Sequence, residues 1–105
     1  MGFEGKVAVV TGGARGIGRA ICETLAKRGA DIVIGDLQSE LAEQTARELA
    51  DITGRRVIAT QLNVADLESA NALIAKTTQE FGRLDILVNN AGVTRDKLIL
   101  RMEEA

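Results

Sequence analysis

Apolar residues follow two rhythms along this chain. Lys6 to Thr11 (KVAVVT) is a short β-branched run of the kind found in strands buried on both faces. Asp31 to Gly35 (DIVIG), Arg56 to Asn63 (RVIATQLN) and Leu84 to Asn89 (LDILVN) read as three further strands. Between them the spacing becomes helical. Gly16 to Arg28 carries Ile17, Ala20, Ile21, Thr24 and Leu25 on one face. Ser39 to Ile52 carries Leu41, Ala42, Thr45, Ala46 and Leu49, with Glu40 and Glu43 near its start where they favour the helix dipole. Asp66 is placed to cap a third helix bearing Leu67, Ala70, Leu73, Ile74, Thr77 and Phe81. Glycines at 29, 54 and 82 end the three helical units. Val93 to Ala105 mixes Leu98, Ile99, Leu100 and Met102 with charges and reads as a loop running into a short helix.

Strands alternating with helices predict an α/β fold, a parallel sheet covered on both faces by right-handed crossovers. With 105 residues and no Pro/Gly/Ser linker, residues 1–105 read as a single domain.

Composition narrows the chemistry. There is no His, so neither a Ser-His-Asp triad nor an imidazole base can be built. One Cys and no His exclude an ordinary structural zinc site, and no metal site is expected. The lone Cys22 cannot form an internal disulfide, which suits a reducing, cytoplasmic compartment; it reads as a packed small hydrophobe. A formal net charge of −2 argues against nucleic-acid binding by phosphate neutralisation. No apolar run is long enough to span a membrane, and MGFEGK shows no signal-peptide pattern.

The strongest local signal is TGGARGIG, Thr11 to Gly18, between the first strand and the first helix. A bound phosphate there needs backbone N–H groups aimed at it and the positive end of a helix dipole behind it. A Cβ at the tight turn would obstruct that approach. Gly12 suits the turn, Gly16 a close approach to pyrophosphate, and Gly18 the packing of helix on strand. The second strand ends in Asp36, 18 residues after Gly18. An acid there can accept hydrogen bonds from both hydroxyls of an adenosine ribose and would repel a 2′-phosphate. Leu37 and Gln38 offer no compensating cation, so NAD is expected and NADP is less favoured. Arg15, within the turn, could bind a 2′-phosphate or simply lie in solvent.

With NNAG at Asn89 to Gly92, these residues closely resemble the short-chain dehydrogenase/reductase family. The turn from Gly12 through Arg15, Gly16 and Ile17 to Gly18 matches the family's cofactor turn. Asn63 and Val64 match the pair that contacts adenine at the end of the third strand. Asn90, Ala91 and Gly92 match the motif that supports the sheet and lines the cofactor site. The resemblance implies a Rossmann-type sheet of strand order 3-2-1-4. The stretch NNAGVTRDKLILRM looks most like bacterial 3-oxoacyl-(acyl carrier protein) reductases. That would imply NAD(P)H-dependent reduction of 3-oxoacyl thioesters in fatty acid biosynthesis, with acyl carrier protein as a partner by resemblance only.

One departure is large. The family's chemistry uses a Ser and Tyr-x-x-x-Lys beyond NNAG, and this chain has no Tyr. The resemblance therefore implies the N-terminal, dinucleotide-binding half, with no catalytic residue assignable. A truncated or engineered Rossmann unit, and an enzyme completed by a partner chain, are the rival readings. Leu84 to Asn89 would form a bare apolar sheet edge, so a homodimer or higher oligomer is expected through the fourth strand and the tail. Phe3 and Phe81 read as packing residues, Arg95 and Arg101 as surface charges, and Asp96 as a helix cap.

Overall fold

A computed structural model describes residues 2–63, 66–90 and the strand 99–102. The elements are β1 (Val7–Thr11), α1 (Gly16–Lys27), β2 (Asp31–Asp36), α2 (Ser39–Thr53), β3 (Val57–Gln61), α3 (Leu67–Phe81), β4 (Ile86–Asn89) and β5 (Ile99–Met102). The sheet order is β3-β2-β1-β4-β5. β1 pairs in parallel with β2 and β4, and β2 with β3, which gives the expected 3-2-1-4 arrangement.

All five residues of β1 are buried, as a strand packed on both faces requires. Alternation along the central strands divides the core. Ala8, Val10, Ile32, Ile34 and Ile86 pack with Cys22, Ala26, Ala42, Ala46 and Leu49 of α1 and α2. Val9 and Val33 point the other way, onto Leu62 and Leu73, with Ala70 and Phe81 of α3 alongside. Cys22 and Phe3 thus serve as packing residues. Phe81 packs too, and Arg56 lies 4.4 Å over its ring. The three helices stop as the glycines predict. Gly54 and Gly82 are left-handed C-caps with φ of 73° and 78°, and Gly29, at φ 106°, follows the Arg28 cap of α1.

The tail departs from expectation. Residues Ile99–Met102 form an antiparallel strand on β4, with Asn89 opposite Ile99 and Ile86 opposite Met102. A lone helix of a few residues is marginal in water, whereas a strand here satisfies the unpaired backbone groups along β4. The expected bare edge at the fourth strand is therefore absent, because β4 is paired on both sides. The sheet ends on β3 and β5 instead.

At the amino end of the sheet, Asp85 joins β1 to β4. Its carboxylate accepts from the Val7 N–H at 2.9 Å and from Arg83 at 2.6 and 2.7 Å. The Asp85 N–H donates in turn to the Val7 carbonyl. Asp85 is only 2% exposed. Hydrogen bonds from the Arg83 guanidinium hold its carboxyl below the usual 3.8, assisted by the Val7 N–H and opposed by burial.

Candidate functional site

The carboxyl ends of β1, β2 and β4 converge on the glycine-rich turn. Gly12 leaves β1 at φ 69°, and its N–H donates to the Gly35 carbonyl at 2.6 Å, tying the turn to β2. Gly16, at φ 62°, opens α1. Both are left-handed positions that strain any residue with a Cβ. Gly18 is needed for space rather than conformation. A Cβ there would collide with the Gly12 carbonyl oxygen and stand 2.8 Å from Asn90 Nδ2. Its close contact is thus between helix and turn, not between helix and strand as the sequence suggested.

No side chain caps the start of α1, and its first turn contains no acid. Arg15 occupies the N-cap position in extended conformation (φ −156°, ψ 172°). A helix start leaves its first amides without intrahelical partners, and together with the macrodipole they favour an anion. α3 differs, for the Asp66 side chain accepts from the Glu68 N–H at 3.0 Å, as its sequence predicts.

Asp36, half-buried at the end of β2, is held by the turn itself. One carboxylate oxygen accepts from the Ala14 N–H at 3.1 Å, the other from the Gln38 N–H at 3.0 Å. Each oxygen retains capacity for a further donor. Leu37 and Ile17 project apolar side chains into solvent, 61% and 66% exposed. Asn63, exposed beyond β3, lies further along this edge, and its N–H donates to Ser69 Oγ.

From β4, Asn90 reaches the turn. Its Nδ2 donates to the Gly12 carbonyl at 3.2 Å, and its N–H donates to Thr11 Oγ1 at 2.9 Å. The Thr11 hydroxyl donates to Asn89 Oδ1 at 3.1 Å. The structure thus brings Gly12, Gly16, Gly18, Asp36 and Asn90 together around one turn, with Arg15 and Ile17 on it and Leu37 beside it. Val64, Ala91 and Gly92 lie outside the described residues, as do Arg95 and Asp96.

Two bracing residues were not singled out from the sequence. Thr11 links the β1 end to the Asn89–Asn90 segment. Thr45, on the buried face of α2 and 1% exposed, donates its hydroxyl to the Ala14 carbonyl at 2.6 Å. A signal was available: a hydroxyl within an otherwise apolar helical stripe needs a buried partner. On the outer side, Arg19 of α1 meets Glu48 of α2 at 2.6 Å and holds that carboxyl below its usual range. Below the turn, Cys22 Sγ contacts the Gly13 carbonyl at 4.0 Å. Burial pushes its thiol up to about 12.

Among the described residues, no helix is long and apolar enough to cross a membrane.

Several known proteins are similar to this chain. The 3-oxoacyl-[acyl-carrier-protein] reductase of Escherichia coli is 52% identical over 104 residues, which cover 99% of this chain and 41% of that protein. Its counterpart in Thermotoga maritima is 41% identical over 104 residues, covering 99% of this chain and 42% of its own length. The chain thus spans about two fifths of the length of these curated relatives. A crystal structure of L-sorbose reductase from Gluconobacter frateurii, complexed with NADPH and L-sorbose, superimposes with a TM-score of 0.85 at 43% identity. That match covers 92% of this chain and 37% of the sorbose reductase. The sequence model of the short chain dehydrogenase family matches residues 6–105, and with the glycine turn, the 3-2-1-4 sheet and these relatives it places the chain in the short-chain dehydrogenase/reductase family.

Proposed function

We propose that this chain is the dinucleotide-binding part of a short-chain reductase. The observation that carries this reading is the uncapped start of α1 beside an acid already oriented by the turn. The residues suit such a ligand. Gly16 leaves the space at the helix start open, Gly12 allows the left-handed turn before it, and Gly18 lets the helix pack closely on that turn. The α1 amides would take the pyrophosphate, and Asp36 the adenosine ribose. Ile17, Leu37 and Asn63–Val64 would flank the adenosine half, and Asn90–Gly92 the nicotinamide half. When bound, the nicotinamide supplies the hydride chemistry; this chain's residues bind and orient it.

The names of the relatives support a 3-oxoacyl group on acyl carrier protein as the substrate class of the parent reaction. Turnover by the 105-residue chain alone is not expected, since it has no Tyr to act as proton donor. Asp36 favours NAD(H), because a 2′-phosphate would face its carboxylate. The NADPH of the sorbose reductase favours the other choice, with Arg15 as the available cation. Calorimetric titration with NADH and NADPH tests both points. Binding of neither sinks the reading, and tighter NADPH shows that Arg15 outweighs Asp36.

A second reading is completion by another chain. Two exposed apolar strips favour it. One is lined by Ile17, Ala20, Ile21 and Leu25 along α1, the other by Ala70, Ile74 and Leu87 beside α3. Light scattering over a dilution series tests it, and a monomer at every concentration excludes self-completion.

A further inference from the structure

The glycine turn is braced from a helix that contributes nothing else to the site. Ala14, in the middle of the turn, is 1% exposed, and both of its backbone polar groups are held by distant side chains. Its N–H donates to Asp36, 22 residues away, and its carbonyl accepts from Thr45, 31 residues away. The second bond is short, at 2.6 Å, and closed off from water. Thr45 belongs to the buried face of α2 with Ala42, Ala46 and Leu49, so packing on both sides fixes its backbone.

The consequence is directional. A trans peptide is planar, with its C=O and the following N–H pointing opposite ways. Among the described residues no peptide bond is cis. With the Ala14 carbonyl turned inward onto Thr45, the Arg15 N–H is turned away from α2. Arg15 is the N-cap of α1, so this peptide sets how the chain enters the uncapped helix start.

We propose that Thr45 is a positioning residue of the dinucleotide site. Its hydroxyl holds the Ala14–Arg15 peptide in the orientation that presents the turn to an anionic ligand. This rests on the dinucleotide reading above. Without the hydroxyl, the Ala14 carbonyl would be buried with no donor, and rotating that peptide towards water would relieve it. Rotation would move the Arg15 N–H and loosen the Ala14 bond to Asp36. The phosphate and ribose parts of the site would then weaken together.

The experiment compares wild type, Thr45→Val and Thr45→Ser by calorimetric titration with NADH and NADPH, with the melting temperature of each protein recorded. Valine keeps the shape and removes the hydroxyl; serine keeps the hydroxyl. The expected result is about tenfold weaker binding in Thr45→Val. Thr45→Ser should return to within about threefold of wild type, even where both variants melt lower. A purely structural role would lower melting and leave the affinity of the folded protein unchanged. Folded Thr45→Val binding as wild type does overturns the proposal and leaves the dinucleotide reading intact. Wild type binding neither nucleotide overturns both. Should Thr45→Val fail to fold, Thr45→Ala takes its place, and unchanged affinity there overturns the proposal equally.

Discussion

β1 and β4 run side by side, yet their two ends are finished differently. At the amino end, Asp85 is buried, and its oxygens are taken by Arg83 and the Val7 N–H. At the carboxyl end, Thr11, Asn89 and Asn90 use their polar groups to hold a turn, and the helix after that turn starts without a cap. Two aspartates show the same contrast. Asp85 accepts three hydrogen bonds and is closed to water, so its charge serves to join strands. Asp36 is oriented by two backbone N–H groups but stays half-buried, with acceptor capacity left over. Exposure together with remaining acceptor capacity, not mere presence at a strand end, separates the structural role of Asp85 from the binding role proposed for Asp36.

The largest expected effect is at Gly18. In Gly18→Ala the new Cβ meets the Gly12 carbonyl, so turn and helix must separate. A loss of about 3 kcal/mol in stability is expected by urea denaturation, together with loss of nucleotide binding. Wild-type stability would show that the turn yields freely, and the picture of a rigid carboxyl end would fall.

At the other end, Asp85→Ala should cost about 2 kcal/mol, because the Val7 N–H and Arg83 lose their acceptor, while nucleotide affinity stays unchanged. Weakened binding in folded Asp85→Ala would break the separation of the two ends. The pH dependence follows from the sign of the shift. Asp85 is lowered in the folded state, so its contribution is complete above the ordinary 3.8 and is lost as pH falls towards the folded value. Acid denaturation of Asp85→Ala should therefore show a shallower loss of stability below that pH than wild type.

Asp36→Ala sharpens the binding side. Removing the carboxylate should shift preference towards NADPH by about tenfold relative to NADH, and should cost about 1 kcal/mol in stability because the buried Ala14 N–H loses its acceptor. An unaltered NADH:NADPH ratio would show that Asp36 only braces Ala14.

The smallest effect concerns Cys22. With its thiol pushed up to about 12, alkylation by iodoacetamide at neutral pH should be very slow in the native protein and appear on adding urea. Rapid labelling of the native chain would mean that the layer beneath the turn opens readily.

Much of this architecture was legible along the chain. The β-branched runs marked β1 to β4, the helical spacing marked α1 to α3, and Gly29, Gly54 and Gly82 ended the helices, because each signal is local. The candidate turn was legible for the same reason, since its glycines, strand and helix are contiguous. Strand order came from family resemblance and is borne out by the sheet. The tail differs: the pattern around Leu98 to Met102 predicts a loop running into a short helix, yet Ile99–Met102 pairs with β4. A strand's existence depends on a partner supplied from elsewhere, and local pattern carries no record of that partner.

The succession of elements, the glycine-rich turn from Gly12 to Gly18 and the acid at the end of β2 are therefore written in the chain itself. How those parts are held emerges only when the layers pack. Ala14 sits between Asp36 and Thr45, Gly18 against Gly12 and Asn90, and Asp85 between Val7 and Arg83. Propensity and periodicity act over a few residues, whereas the braces at Ala14 span 22 and 31 residues and exist only once the layers have packed.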